Sequence, residues 1–367
     1  MSRGLDPGPA PSRPDKLARP EKRGRRFDWL RRGKPAKDSF MALHFDRSLE
    51  VTYRVVDEVF PGIRRVVSEN PGPYTFKGTA TFIIGRGDVA IIDPGPADET
   101  HIEAILAALK GERITHQLIT HTHPDHSPGA RLIKERTGAP TYGFGPHPAA
   151  ESDEPEEAEL GESTGAETSV ADEVAPKNDA EKSSEERSDV DFVPDVYVSD
   201  GEAITGTNWA VESVHTPGHL ANHLCFALGS MLFTGDHVMG WSTSVISPPG
   251  GNLDDYMSSL AKLLPRPETI YVPTHGSPIP DAHSFVRGLI DHRNERTGQI
   301  RLQLAGGPRT VRELVTALYL GLDPRLVKAA GRSVSAHLES LERAGAVRRE
   351  ITPVTDTTVT TRWVEAP

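Results

Sequence analysis

The run Gln117-Leu118-Ile119-Thr120-His121-Thr122-His123-Pro124-Asp125-His126 decides how this chain is read. Residues 117–120 have strand texture and lead directly into three histidines and an aspartate packed within six positions. Residues two apart in an extended segment point to the same side, so His121 and His123 can grip one ion. Pro124 turns the chain, which lets Asp125 and His126 address a second ion beside the first.

One cluster would leave two ions under-coordinated, and three further stretches supply what is missing. His219 follows a strand-like run in His215-Thr216-Pro217-Gly218-His219. Asp236 follows another in Thr234-Gly235-Asp236-His237, and His275 a third in Pro273-Thr274-His275-Gly276. Each sits just past an apolar run and next to a glycine, as expected of loops gathered at one sheet edge. Asp93-Pro94-Gly95 also follows a strand.

Outward from these motifs, strand-like runs occupy 51–59, 63–67, 79–84 and 89–92, and a helical pattern carries Ile102, Ile105, Leu106 and Leu109. Pro128 stands near the start of a helix ending at Arg136, and another strand covers 141–144. Strand texture resumes at 196–198, 210–214, 223–228, 231–234 and 269–272, with helices at 253–264 and 285–304. This order implies mixed sheets covered by helices, an α+β architecture. From 286 to 367 the pattern changes to three short helices (310–319, 324–330, 333–344) and a hairpin (347–351, 358–364), a winged-helix arrangement. Residues 333–341 would hold the recognition-helix position. Glu339 and Glu342 are poor companions for phosphates, so packing or substrate shaping is preferred there to DNA reading.

A chain of 367 residues accommodates a large domain plus a smaller one, and its hydrophobic fraction of 36% implies that part of it never enters a core. Residues 1–40, rich in Pro and Arg, read as a disordered basic tail. Asp6, Asp15, Glu21 and Asp28 argue against a transit peptide, and Met41, just before patterned sequence begins, is an alternative start. Between Glu151 and Asp191 stand sixteen acidic residues against three basic ones. That stretch outweighs the whole net charge of −11, so the remainder is near neutral and slightly basic. The acidic insert, 146–192, is expected to be disordered, a long surface loop within a catalytic domain of 41–285.

Cys225 is the single cysteine, which excludes an intrachain disulfide and thiolate clusters, and its apolar setting makes it an inert buried thiol. No apolar run approaches the roughly 20 residues that span a bilayer. A soluble, reducing compartment is expected, most simply the cytoplasm, with no membrane partner.

Taken together, these motifs resemble the metallo-beta-lactamase superfamily over about residues 50–285. The resemblance implies a four-layer αββα sandwich. It assigns His121, His123 and His219 to one metal, Asp125, His126 and His275 to the other, and Asp236 to a bridge between them. It places Asp93 in support of the site and makes Asp125 a ligand on which catalysis depends. Two divalent ions close together lower the pKa of a shared water, so that hydroxide attacks, and polarise the bond to be cut, so no Ser or Cys nucleophile is required. Imidazole suits zinc, while the carboxylates leave room for iron or manganese. Members that destroy beta-lactams usually carry Cys or His at the bridge. The aspartate here is similar to glyoxalase II and ribonuclease Z branches and disfavours beta-lactamase activity.

The layout, through Asp254-Asp255-Tyr256-Met257-Ser258-Ser259-Leu260 to the winged helix, resembles the beta-lactamase-like protein 2 group. That resemblance implies hydrolysis of an ester, thioester or phosphodiester, with a small acyl substrate or single-stranded RNA as partner. A single-strand-specific endoribonuclease, a mononuclear iron oxygenase and a DNA-binding regulator are the alternatives. Trp241 and Ser247-Pro248-Pro249-Gly250-Gly251 are candidates for the floor of a cleft, His215 and His237 for supporting or proton-transfer roles, while His116, His223, His283, His292 and His337 read as structural or exposed.

Overall fold

The computed structural model describes residues 43–147, 188–353 and 359–366. The expected tail 1–40 and most of the acidic insert lie outside the described residues.

Strands β1 (Asp57–Phe60), β2 (Ile63–Val67), β3 (Ala80–Arg86), β4 (Asp88–Ile92), β5 (Arg113–Leu118), β6 (Thr141–Gly143) and β7 (Val196–Tyr197) form one sheet in chain order. The first four run antiparallel, and β4 to β7 are parallel. A second sheet has the order β12 (Ile270–Pro273), β11 (Met231–Gly235), β10 (Leu224–Leu228), β9 (Ala210–His215), β8 (Ala203–Thr205). Strand period 2 sorts the side chains into layers. Phe82, Ile84, Leu224 and Phe226 meet between the sheets, while Ile83 and Ile91 face the other way onto helices α1 (Glu99–Ala108) and α2 (Gly129–Thr137). Cys225, Leu232 and Tyr271 face α3 (Leu253–Leu263) and α4 (Ala282–Leu304) on the opposite outer side. The result is the expected four-layer αββα sandwich. Because both sheets are covered on both faces, their strands read as nearly continuous apolar runs.

The run 51–59 forms less strand than its texture implies. Arg54 takes a left-handed backbone, φ 61°, which breaks the extended path, and only Asp57–Phe60 pairs with β2. The short edge strand β8 escaped the sequence reading because its three residues alternate in burial with no apolar run.

Helix α4 runs through the boundary drawn at 285/286. Its first half, with Val286 and Leu289, packs on the second sheet, and its last turns, with Ile300 and Leu304, enter the core of the C-terminal region. There it meets α5 (Val311–Leu318), started by a Thr310 and Glu313 capping box, α6 (Val327–Arg343) and the hairpin β13 (Val347–Pro353) with β14 (Val359–Glu365). The separate helix expected at 324–330 is a single 3-10 turn, Pro324–Leu326, that runs on into α6. Gly331, a residue of low helix propensity, is buried by packing inside a continuous helix.

Every residue of α6 from 331 to 342 is buried or partly buried. Ala336 enters the core of the larger domain, Ser340 Oγ donates to Asp254 Oδ1 on α3, and Arg343 Nε donates to Asp254 Oδ2 at 2.8 Å. These contacts spend much of the helix surface on packing.

Candidate metal centre

Strand direction alone gathers the chemistry. β9 and β11 are both antiparallel to β10, and β12 is parallel to β11, so the loops carrying His219, Asp236 and His275 all leave at the same edge. Parallel β4 and β5 deliver Asp93 and the 121–126 loop beside them. Backbone bonds join the two edges: Leu224 N donates to Thr120 O at 2.7 Å, and Ala80 N to Thr274 O at 3.1 Å. Two glycines permit the approach. A Cβ on Gly218 would lie 2.3 Å from Tyr256 Cα, and one on Gly235 would lie 2.7 Å from the His223 ring.

The seven sequence candidates fall into two groups. His121, His123, His219 and Asp236 present ligand atoms within 4.8 Å of one another, and so do Asp125, His126 and His275. His121 Nε2 and His219 Nε2 each lie 2.9 Å from His123 Nδ1. In the second group, Asp125 Oδ2 lies 3.3 Å from His126 Nε2 and 3.1 Å from His275 Nε2. Asp236 reaches both: its Oδ1 is 3.5 Å from His126 Nε2 and 3.4 Å from His275 Nε2, and its Oδ2 is 3.7 Å from His219 Nε2. This is the geometry a bridging carboxylate needs. His123 and Asp125 are the partly exposed members, so they face the open side.

The donor chemistry fits cations. A carbonyl only accepts, so His219 Nδ1 donates to Val245 O (2.6 Å) and His275 Nδ1 donates to Gly78 O (3.1 Å). Each ring therefore turns its Nε2 inward. His123 Nδ1 cannot satisfy both imidazole nitrogens that crowd it, and His126 Nε2 and Asp236 Oδ1 are buried with no hydrogen-bond partner. Converging lone pairs of this kind are what a cation requires.

Behind the inward atoms stands a ring of supports. Asp93, fully buried at φ 51°, accepts from Thr120 N (2.8 Å), Thr120 Oγ1 (2.7 Å), His126 Nδ1 (2.9 Å) and Thr274 Oγ1 (3.2 Å). It therefore holds His126 from the rear and does not itself face the cluster. Thr120 Oγ1 also lies 2.9 Å from His121 Nδ1, and Thr79 Oγ1 donates to Asp125 Oδ2 at 2.9 Å. His223, read as a structural residue, closes the back: Asp236 N donates to its Nε2 at 3.3 Å. Thr79, Thr120 and His223 carry no pattern in the sequence that marks them, because their roles come from neighbours distant in the chain.

Charge follows the same division. Burial drives His121 far below its ordinary value and His123 down to about 3, and the neighbouring imidazoles reinforce the shift. Burial also lowers His219. At His126 and His275 burial pulls down as well, but Asp125 and Asp236 beside them prevail and raise both. Burial would raise Asp125 and Asp236, yet the adjoining histidines hold both carboxylates ionised, below the usual range. The neutral imidazoles of the first group and the ionised carboxylates are in the states that bind metal, whereas His126 and His275 would give up a proton to a cation on binding.

The remaining candidates divide. His215 stacks on Phe144 with centroids 3.7 Å apart and donates to Ala221 O, so it packs at the surface away from the cluster. His237 lies under Tyr256, centroids 4.8 Å apart. Trp241 stacks on Phe76 (4.8 Å, 12°) against Gly276, the residue after His275, while Gly250 and Gly251 press on the His219 loop. Cys225 is buried, its thiol pushed up to about 12 by burial, as an inert residue should be. The insert expected to be disordered over 146–192 is drawn too wide at both ends: residues 146–147 and 188–192 are ordered. Asp189 N donates to Thr122 O at 2.7 Å and Ser127 Oγ to Asp189 Oδ2 at 2.7 Å, so the insert's return is tied to the histidine loop itself. Acidic composition concealed this, because the anchoring bonds are made by partners far earlier in the chain.

Comparison with known proteins agrees with this fold. The family model of the metallo-beta-lactamase superfamily matches residues 73–275, and that of the beta-lactamase associated winged helix domain matches residues 310–362. The Beta-lactamase-like protein 2 homolog of Drosophila melanogaster is 29% identical over 307 residues, 80% of this chain and 92% of its own length. An Atrochrysone carboxyl ACP thioesterase of Aspergillus fumigatus is 27% identical over 286 residues, 72% of this chain and 75% of its own. Among solved structures, a Beta-lactamase domain protein from Burkholderia ambifaria has a TM-score of 0.66 at 22% identity, covering 88% of this chain and 97% of its own. A metallo-beta-lactamase family protein from Thermus thermophilus has a TM-score of 0.64 at 22% identity, covering 84% and 100%. With a family match across more than half its length and a fold and winged helix to go with it, the chain belongs to the metallo-beta-lactamase superfamily and is a hydrolase.

Proposed function

We propose that this hydrolase binds two divalent metal ions and cleaves a small ester or thioester. His121, His123 and His219 would hold one ion, and Asp125, His126 and His275 the other, with Asp236 shared. The observation that carries the reading is the split of Asp236, one oxygen toward His126 and His275 and the other toward His219. Two ions bound in this way supply a nucleophilic oxygen at neutral pH and polarise the scissile carbonyl. The protein's own part is orientation: backbone carbonyls and Asp93 hold the outer ring nitrogens of His219, His275 and His126 and so aim the inward ones, and partly exposed His123 and Asp125 mark where substrate enters.

The imidazole-rich donor set favours zinc, with iron or manganese as alternatives. Seven donors in two groups weigh against a mononuclear iron oxygenase, and the covered face of α6 weighs against a DNA regulator. Similarity to a thioesterase supports the acyl substrate. A second reading, cleavage of single-stranded RNA in the manner of the beta-lactamase-like protein 2 group, is favoured by the longer match to that relative, which spans 92% of its length.

Parallel assays on acyl thioesters and on single-stranded RNA, with metal content measured on the same preparation, separate the two. Asp125→Ala is expected to lower turnover of the true substrate by about 10²-fold or more, the equivalent of several kcal/mol of transition-state stabilisation, with an unchanged circular dichroism spectrum. Full activity in that variant would sink the two-metal reading.

A further inference from the structure

Arg293, on α4, is a buried cation 3% exposed, and no carboxylate meets it among the described residues. Buried charges are normally paired, since their desolvation is costly. Its partners are instead the Ser244 carbonyl, to which Nη2 donates, the Ser333 hydroxyl on α6 (3.4 Å from Nη1) and the face of the Tyr256 ring, 5.3 Å from the guanidinium carbon. The Ser244 carbonyl is the telling one.

Ser244 and its neighbour Val245 touch two metal-ligand candidates at once. Ser244 Oγ donates to the backbone carbonyl of Asp236 and lies 2.8 Å from that of His237. Val245 O takes the Nδ1 proton of His219, which decides the ring's tautomer and aim. Among the described residues, Arg293 is the charged side chain that bonds this two-residue segment from its outer side. The guanidinium thus clamps the support on which Asp236 and His219 both lean.

We infer that Arg293 is a positioning residue of the metal centre, coupling the α4 helix shared with the winged-helix region to the orientation of His219 and Asp236. This rests on the metal-site reading above. Its chemistry is a planar fork, with Nη2 on the Ser244 carbonyl and Nη1 on the Ser333 hydroxyl, that Gln cannot reproduce at that reach and that Lys can approach only from one nitrogen.

The test is cobalt(II) titration of chelator-stripped protein, followed by its visible absorption, alongside thermal melting and steady-state kinetics. Arg293→Gln is expected to weaken cobalt uptake by about 10- to 100-fold and to lower kcat while KM stays within about twofold, with Arg293→Lys between it and wild type. Ser244→Ala removes the hydroxyl from the Asp236 carbonyl without disturbing a buried charge, and is expected to weaken uptake severalfold; if Arg293→Gln does not fold, the cobalt midpoint of the charge-conserving Arg293→Lys decides the matter. A lowered melting temperature with an unaltered cobalt midpoint and spectrum in these variants assigns Arg293 to fold stability alone and overturns the proposal. Wild-type protein that takes up no cobalt overturns the metal-site reading itself, and this inference with it.

Discussion

His126 Nδ1 donates to Asp93 Oδ2 at 2.9 Å, and neither side chain reaches solvent. The bond sets which ring nitrogen of His126 faces the cluster. Asp93 stands in a left-handed turn directly after β4, and from there its carboxylate spans Thr120, His126 and Thr274 together.

Replacing that carboxylate by its amide tests the dependence. In Asp93→Asn one side-chain atom becomes a donor, and whichever way the amide lies it faces an N–H or O–H that has to donate. Metal affinity or turnover is expected to fall by about 10- to 100-fold, read by metal content after dialysis and by initial rates. Wild-type metal content and rate would remove Asp93 from the site.

The α6 helix offers a second test. Asp254 accepts from Ser340 Oγ and from Arg343 Nε, its side chain 18% exposed and that of Arg343 44%. Solvent screens part of this interaction, so Asp254→Ala is expected to cost only about 1–2 kcal/mol of stability. The measurement is the urea midpoint, with turnover at the metal centre expected within about twofold of wild type. An unmoved midpoint would show that α6 is held by its apolar contacts alone.

A buried histidine outside the ligand set makes acid sensitivity predictable. Burial lowers His101 from 6.5 to about 4, and its Nε2 lies 3.0 Å from Thr81 Oγ1. The unfolded chain binds this proton below about pH 6.5 while the native one does not, so stability is full above that pH. It falls as pH drops from about 6.5 to about 4, by about 3 kcal/mol from this residue, and then levels off. An NMR titration should find the His101 ring neutral at about pH 5, and a midpoint near the ordinary value of about 6.5 would refute the assignment.

Much of this candidate site was legible in the sequence because the residues it gathers are local to motifs. His121, His123, Asp125 and His126 share six residues, and a strand run announces each of the loops carrying His219, Asp236 and His275. Local pattern was less reliable where packing overrides propensity. Arg54 interrupts an apolar stretch that should have been strand, and Gly331 sits inside a helix it should have broken.

From the order of residues alone came the sandwich class, the C-terminal winged helix, the inert cysteine and all seven candidate ligands, since hydrophobic periodicity and short-range spacing are properties of the chain itself. Tertiary structure decided the rest. It turned Asp236 between two groups, put Asp93 and His223 behind them, drew Asp189 back onto Thr122 and set Arg293 against Ser244. Those relations join residues on different strands, helices and loops or fix the direction of a single carboxylate oxygen, and only the folded sheets, by bringing their strand ends to one edge, determine them.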